Sequence, residues 1–337
     1  MHREVVERRK WLSRQEFLDL LGATNLIPGP NSTELAIHIG RSRAGIPGLL
    51  IAGTAFILPA ALIVLAIAWL YVAMGVLPQT GKVLYGIKPV VIPIILYSIF
   101  DLGRVAVKTK WLALLGLVAG VLNLAGIGEL TVLFGAGFAA LILTTRPKGT
   151  ALPLVWFLPA AAASTLALGL LPLFLYFLKV GSVLFGSGYL LVAFLQADLV
   201  EARGWLTQNQ LLDAIAIGQI TPGPLFTTAT FIGYILLGTW GAIAATAGIF
   251  LPGFFFVAAS HPFVSRLRQI TWAQALLDGI NVAAVALMLV MTWQIGRAAI
   301  VDATTAGLAL GGAAALAVFR LNSAWLVIGG AIIGFLS

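Results

Sequence analysis

The chain has no cysteine among its 337 residues, which excludes disulfides, thiol nucleophiles and thiolate metal sites. Histidine is nearly as scarce, and His2, His38 and His261 lie far apart in the sequence. The twelve carboxylates are scattered and form no motif typical of a catalytic site. We therefore expect a protein that is not an enzyme and that binds neither a metal nor another cofactor.

Charged residues are also few. They make up 9% of the sequence, whereas an ordinary soluble domain has about 25%. Hydrophobic residues make up 60%, so the chain cannot assemble a water-soluble surface. Apolar runs at residues 45–71, 156–177 and 273–293 reach the roughly 20 residues that a membrane-spanning helix needs. The sequence therefore predicts an all-α polytopic membrane protein whose helices pack as a bundle in the lipid bilayer.

The net charge of +8 does not indicate a nucleic-acid partner. The basic residues form short clusters between apolar runs, at residues 3–14, 41–43, 104–110 and 146–148. Such clusters are typical of the cytoplasmic loops of membrane proteins. We therefore expect no binding of nucleic acid.

The second half of the sequence repeats the first at an offset of 194 residues, which becomes 193 after a one-residue gap. Thr33 falls on Thr227 before the gap, and Gly45 falls on Gly238 after it. The matches keep the same order over some 85 residues. They predict two homologous helical-bundle halves, residues 1–150 and residues 151–337. Internal repeats of this kind are common in secondary transporters.

Each half carries a Pro-Gly-Pro tripeptide within an apolar segment. Two prolines interrupt a continuous helix, whereas proline is favourable at the first position of a new helix. We therefore predict a broken, discontinuous helix in each half, with two half-helices that meet inside the membrane and line a cavity. A simple packing kink is the alternative. The helix-break residues are Pro28, Gly29, Pro30, Pro222, Gly223 and Pro224.

The start of the helix after each break suits an oxyanion, because free backbone amides, hydroxyl groups and the positive end of the helix dipole lie there. In the first half the amides are those of residues 31–33. Lys88 lies within the apolar run 83–100, where it can neutralise an anionic substrate. Alternatively, it snorkels to the interface or pairs with a carboxylate. The predicted substrate-binding residues are Asn31, Ser32, Thr33, Lys88, Thr227, Thr228 and Asn281.

Glu34 and His38 are candidates for proton coupling. They lie four residues apart, a spacing that lets two side chains on one helix face meet. A buried carboxylate beside a histidine can exchange protons. Equally, Glu34 pairs with Arg41 or Arg43 near the membrane interface.

Asp19 and Asp213 occupy equivalent positions before the two breaks. They are the other candidates for proton coupling. The interpretation we favour is structural, in which they pair with the repeated arginines Arg9 and Arg203.

Longer sequence motifs surround both breaks. In the first half they are EVVERRKWLS at residues 4–13 and NLIPGPNSTELAIHIG at residues 25–40. In the second half they are FGSGY at 185–189, GQITPGP at 218–224 and TFIGY at 230–234. These motifs resemble those of the chromate transporter family. The resemblance implies a two-domain, multi-pass protein of the inner membrane that exports chromate from the cytoplasm, driven by the proton-motive force. Chromate and sulfate are both tetrahedral dianions, so the same site suits either.

One departure concerns the start of the first half. An apolar segment at residues 180–195 precedes the second basic loop, and the family has an equivalent helix before the first. Here the chain starts within that loop, so the resemblance implies that the first helix is missing. We expect the absent helix to pack against the first break.

Several alternatives stay open from sequence alone. A passive anion channel or a transporter of another oxyanion would use the same half-helix ends. Re-entrant breaks would make the two halves parallel and satisfy the charge rule, whereas breaks that cross the membrane would make them inverted. A homo-oligomer is also compatible with the sequence.

Overall fold

The computed structural model describes residues 1–74, 78–144, 167–185, 188, 190–261, 271–319, 321 and 323–336. This part of the chain is almost entirely helical and contains no strand. Four of its helices are long and apolar enough to cross a membrane. The predicted all-α membrane fold is thus confirmed. The predicted boundary between residues 150 and 151 lies outside the described residues.

The elements follow one another in the same order in both halves. The first half contains a π-helical segment Arg3–Arg8, then α1 (Arg14–Thr24), α2 (Asn31–Met74), α3 (Pro78–Ala106), α4 (Lys110–Leu124) and α5 (Glu129–Thr144). The second half contains α6 (Leu170–Val183), α7 (Leu190–Phe194) with a π-helical continuation Leu195–Ala202, α8 (Gln208–Ile220), a 3₁₀ turn Leu225–Thr227, α9 (Thr228–Ser260), α10 (Thr271–Ala299), α11 (Ala303–Phe319) and α12 (Ser323–Leu336). With the repeat offset, helices α1 to α5 correspond to helices α8 to α12.

The repeat extends to local hydrogen bonding. Ser13 caps α1 and Thr207 caps α8, each in a capping box with the residue three positions later. A capping box satisfies backbone donors at a helix start that would otherwise lack a partner. Residues with a positive φ precede both caps, Lys10 at 51° and Gly204 at 61°. The two halves therefore enter their first helix by the same geometry.

Helices α2 and α9 each reverse direction at a glycine. Gly45 has φ 64° and ψ −144°, and Gly238 has φ 63° and ψ −154°, a region that residues with a side chain rarely occupy. In α2 the segments before and after the turn pack so closely that a side chain at Gly40 would collide with the carbonyl oxygen of Gly48. Each helix is therefore a tight helical hairpin.

The two halves run in opposite directions. Val285, in the middle of α10, packs beside Gly103 near the end of α3. Ile92, in the middle of α3, packs beside Gly296 near the end of α10. The equivalent helices α3 and α10 are therefore antiparallel, and an approximate two-fold axis relates the halves. Of the two arrangements that the sequence left open, this is the inverted one.

The halves also interlock. Helix α3 packs on α11 and α12 of the second half, and α10 packs on α4 and α5 of the first half. A side chain at Gly86 of α3 would collide with the carbonyl oxygen of Gly330, and one at the equivalent Gly279 of α10 would collide with that of Ala136. Small residues let helix backbones approach closely in lipid. Neither half can thus complete its packing without the other.

One face differs between the halves. In the second half α6 covers α9, and Gly181 and Gly248 bring the two helix backbones together. No helix of the described chain covers the equivalent face of α2, where Ala55 and Pro59, the repeat counterparts of the buried Gly248 and Pro252, are exposed. Such a face is compatible with lipid.

Candidate functional site

The helices end and restart on either side of each Pro-Gly-Pro tripeptide. Helix α1 ends at Thr24 and α2 begins at Asn31, while α8 ends at Ile220 and the next helical turn begins at Leu225. The central glycines have positive φ angles, 134° at Gly29 and 158° at Gly223. That the two sides of each interruption form one discontinuous membrane-spanning helix stays a prediction.

Each interruption is held against the opposite half. The amide of Gly29 donates a hydrogen bond of 2.6 Å to the carbonyl oxygen of Leu184, just after α6. Gly223 packs on Ala60 of α2, so closely that a side chain would collide with the Ala60 methyl group. Glycine therefore serves both backbone conformation and close packing at these positions.

Both interruptions line one cavity of about 1090 Å³. The first contributes Pro30, Asn31 and Ser32, and the second contributes residues 221–225. The remaining walls come chiefly from α3 and α10. Two segments almost 200 residues apart in sequence, at the offset of 194, are thus brought to one space between the antiparallel halves.

Three of the predicted substrate-binding residues line this cavity, namely Asn31, Ser32 and Asn281. The side-chain amide of Asn31 donates to Asn25 Oδ1 at 2.7 Å, which fixes its orientation at the cavity wall. Asn281 lies on α10, in the second half of the chain. The cavity therefore has polar groups from both halves.

The three predicted threonines are buried and do not line the cavity. The Thr33 amide donates to the Pro30 carbonyl at 2.8 Å, and the Thr227 amide donates to the Pro224 carbonyl at 2.9 Å. The expectation of a free Thr33 amide is therefore wrong, because this amide closes a turn with the carbonyl group of Pro30. The Thr227 hydroxyl also donates to Pro224, at 2.9 Å, and Thr228 packs against Gly218. These threonines therefore contact the chain next to the breaks and not the cavity.

Lys88 lies away from the cavity lining. Its Nζ atom is 3.0 Å from Asp213 Oδ1 and 3.4 Å from Asn209 Oδ1. The Tyr71 hydroxyl donates to the other Asp213 oxygen at 2.9 Å. Lys88 and Asp213 are mostly buried, so the pair joins α3 to α8 inside the bundle. Of the alternatives predicted for Lys88, the structure therefore contains the ion pair with a carboxylate.

The favoured pairing of Asp213 with Arg203 is therefore wrong, since Lys88 occupies that position. The Arg203 guanidinium lies over Trp205 instead, 4.8 Å from the ring centroid. In the first half, Arg9 pairs with Glu4 at 2.7 Å and lies over Trp11. Asp19 accepts a hydrogen bond of 3.0 Å from Gln15.

Glu34 is completely buried in the first half of α2. Its carboxyl group lies against Gly29, in the space that a side chain at that position would fill. No hydrogen-bond donor among the described residues reaches either carboxyl oxygen. Buried polar groups without partners are rare and usually have a reason. The predicted ion pairs of Glu34 with Arg41 or Arg43 are absent from this part of the structure.

His38 forms a contact that the sequence did not reveal. Its Nδ1 atom lies 3.2 Å from Nδ1 of His261, at the end of α9. One of the two nitrogens must carry a proton for this hydrogen bond to form. The residues are 223 positions apart, and no spacing pattern connects them. The fold alone brings this pair of histidines together.

Equivalent residues of the two halves line different cavities. In the second half Met291 and Gln294 line a small cavity of about 120 Å³ together with Ala193 and Gln196 at α7. Their repeat equivalents Ser98 and Asp101 line the large cavity instead. Among the described residues, nothing equivalent to α7 packs there.

Comparison with known proteins decides the family. The chromate transporter family matches residues 1–168 and again residues 171–335. This chain belongs to the chromate transporter family. The resemblance seen in the sequence motifs is thus confirmed, in its two-domain form.

Three relatives of this chain carry names that refer to chromate transport. The chromate transport protein of Cupriavidus metallidurans is 35% identical over 100% of this chain and 87% of its own length. The probable chromate transport protein of Synechococcus elongatus is 33% identical over 90% of this chain and 80% of its own length. The chromate transport protein of Pseudomonas aeruginosa is 29% identical over 86% of this chain and 73% of its own length. No solved structure matches the chain.

The two family matches each contain one of the two chain interruptions. In this member of the family, the cavity is therefore built from equivalent segments of both family repeats. Residues from both repeats contribute donors to it, Asn31 and Ser32 from the first and Asn281 from the second.

Proposed function

We propose that the protein exports chromate across the inner membrane through the cavity between its two halves. The observation that carries the proposal is that both Pro-Gly-Pro segments line one cavity between antiparallel repeats, with polar groups from both halves. In secondary transporters, substrate sites lie at the interface of inverted repeats and are formed by interrupted helices. The names of the three relatives given above support chromate as the substrate.

The cavity chemistry suits a tetrahedral dianion. The backbone amides of Asn31 and Ser32 precede the first hydrogen bond of the α2 turn, and they lie at the positive end of the helix dipole. The Ser32 hydroxyl and the amide of Asn281 add neutral donors. Sulfate has the same shape and charge as chromate, so it should compete for the site.

Proton coupling is the proposed source of energy, and Glu34 is its proposed carrier. An ionised carboxylate in this buried place would have no compensating partner among the residues that the structure describes, which favours a protonated carboxyl group in this conformation. A change in the Gly29 segment would expose Glu34 to the cavity and let the proton leave. The His38–His261 pair lies one helical turn further along α2 and offers a second proton-binding place.

Replacing Glu34 with glutamine should abolish chromate accumulation driven by a proton gradient, because the amide cannot release a proton. Chromate exchange at equilibrium should continue, since glutamine keeps the size of the side chain. The position equivalent to Glu34 in the second half is Thr228, so an uncharged polar residue is tolerated in this fold. Counterflow and gradient-driven uptake, measured in parallel, separate the two effects. The control is Glu7→Gln, which changes an exposed acid. Unchanged gradient-driven uptake by Glu34→Gln would exclude Glu34 as the carrier.

Everted membrane vesicles test the function itself. Export from the cytoplasm appears there as uptake of labelled chromate, and sulfate should inhibit that uptake. Dissipating the proton gradient and the membrane potential should stop accumulation. Uptake that ignores both would instead indicate a passive anion channel, and no uptake of either dianion would refute the proposed function.

A further inference from the structure

The cavity contains a cation that sequence patterns did not single out. Lys108 follows the end of α3, and its Nζ atom lies 2.7 Å from Oδ1 of Asp278 on α10. Both residues line the cavity between the halves. Among the lining residues that the structure describes, Lys108 is the only one with a positive charge. Lys88, the cation expected from sequence, is held by Asp213 elsewhere.

Asp278 belongs to a polar row on α10. Gln274, Asp278 and Asn281 are spaced by four and three residues, so they lie on one face of the helix, and all three line the cavity. The Lys108 ammonium group therefore contacts a face of α10 that also carries side-chain amides. Asp101 on α3 is a second acid in the lining. Lys108 is therefore the place in the described lining where positive charge can attract an incoming anion.

We propose that Lys108 and Asn281 form an anion-binding subsite for a tetrahedral dianion, and that Asp278 holds Lys108 while the subsite is empty. This inference rests on the proposed function, because the same cavity would carry the transported anion. The Lys108 side chain is 55% exposed and Asp278 is 25% exposed, and ion pairs this accessible to solvent are weak. A dianion therefore competes with Asp278 for the lysine.

The side chain of lysine suits such an exchange. Its ammonium group is a point charge with three donors on a flexible stem, so it can turn from one acceptor to another with little rearrangement. The amide of Asn281 stays on the rigid helix and supplies a fixed donor. Lys108 would thus provide the attraction, and Asn281 the orientation.

Direct binding to the purified full chain in lipid nanodiscs tests the subsite. Equilibrium dialysis with labelled chromate, and separately with labelled sulfate, gives the Kd of each variant. Lys108→Gln should weaken binding by about 10-fold to 100-fold, the range of a charge-assisted hydrogen bond. Asp278→Asn should tighten it by about two- to fivefold, since it frees the lysine. Lys110→Gln is the matched control, because Lys110 is exposed near the same helix end and does not line the cavity.

Equal affinities of the Lys108→Gln and Lys110→Gln proteins would overturn the subsite, whether or not the wild type transports chromate. A purely structural ion pair would make Lys108→Gln and Asp278→Asn equally unstable and would not tighten binding in the latter, which would also overturn it. Lys108→Arg keeps the charge and should retain most of the affinity. Wild-type protein that binds chromate through Lys108 but shows no uptake in vesicles would refute the proposed function and leave the subsite standing.

Discussion

Replacing Gly86 with valine should prevent the two halves from assembling. The valine side chain would collide with the backbone carbonyl of Gly330 where α3 packs on α12, and a backbone atom on a packed helix cannot move aside. Overpacking of this kind costs on the order of 3 kcal/mol, and here the backbones of two helices would have to separate. We expect the yield of monodisperse protein in detergent to fall to almost nothing.

The same helix provides the control. Gly81 lies one and a half turns before Gly86 and has no atom near the position of an added side chain, so Gly81→Val should leave the yield unchanged. Gly279→Val, at the equivalent place on α10, should be as damaging as Gly86→Val. A difference between the two equivalent variants would contradict the interlocked two-fold arrangement.

Replacing Lys88 with methionine should destabilise the protein rather than weaken chromate binding. The change leaves the Asp213 carboxylate inside the bundle without its cation, and breaking a buried ion pair costs about 3–5 kcal/mol. The thermal unfolding midpoint should therefore drop clearly. The double variant Lys88→Met with Asp213→Asn removes the orphaned charge and keeps an acceptor for the Tyr71 hydroxyl, so it should regain most of the stability.

The affinity for chromate distinguishes this structural role from a role in binding. In the double variant the Kd for chromate should match that of the wild type, because Lys88 does not line the cavity. A single variant as stable as the wild type, or a double variant with normal stability and much weaker binding, would restore Lys88 as a substrate residue.

Lys88 also shows where the sequence stops being informative. A lysine in an apolar run is unusual, and that local pattern correctly indicates that the residue has a specific role. Its partner Asp213 lies in the other half of the chain, and their meeting depends on how α3 packs against α8. The choice between binding and pairing is therefore a tertiary property that no spacing along the sequence contains.

The chain interruptions, in contrast, could be predicted from the sequence. Proline lacks an amide hydrogen and clashes with the preceding helical turn, so Pro-Gly-Pro predicts the ends of the flanking helices from local chemistry alone. The reversal at Gly45 escaped prediction, since a single glycine in an apolar helix most often serves packing. Its alignment with Gly238 was visible in the sequence, but the positive φ angles that give both glycines their role were not.

The cavity and the histidine pair required the three-dimensional arrangement. Two antiparallel halves bring Ser32 and Leu225 to one space, and they bring His38 to His261 at the end of α9. The sequence repeat predicted equivalent segments, but it left both parallel and inverted halves open. The direction of α3 against α10 decides which cavity walls face each other.

The most direct test of the central claim is the effect of a bulky thiol reagent on chromate flux. The chain has no cysteine, so single cysteines can be placed at Ser32 in the first break and at Leu225 in the second. Modification of either cysteine with a large methanethiosulfonate should block labelled-chromate flux in proteoliposomes, because both positions line the one cavity. Modification of Arg3→Cys, at an exposed position outside the cavity, should not. Flux that persists after complete modification at either break would contradict a shared pathway between the two halves.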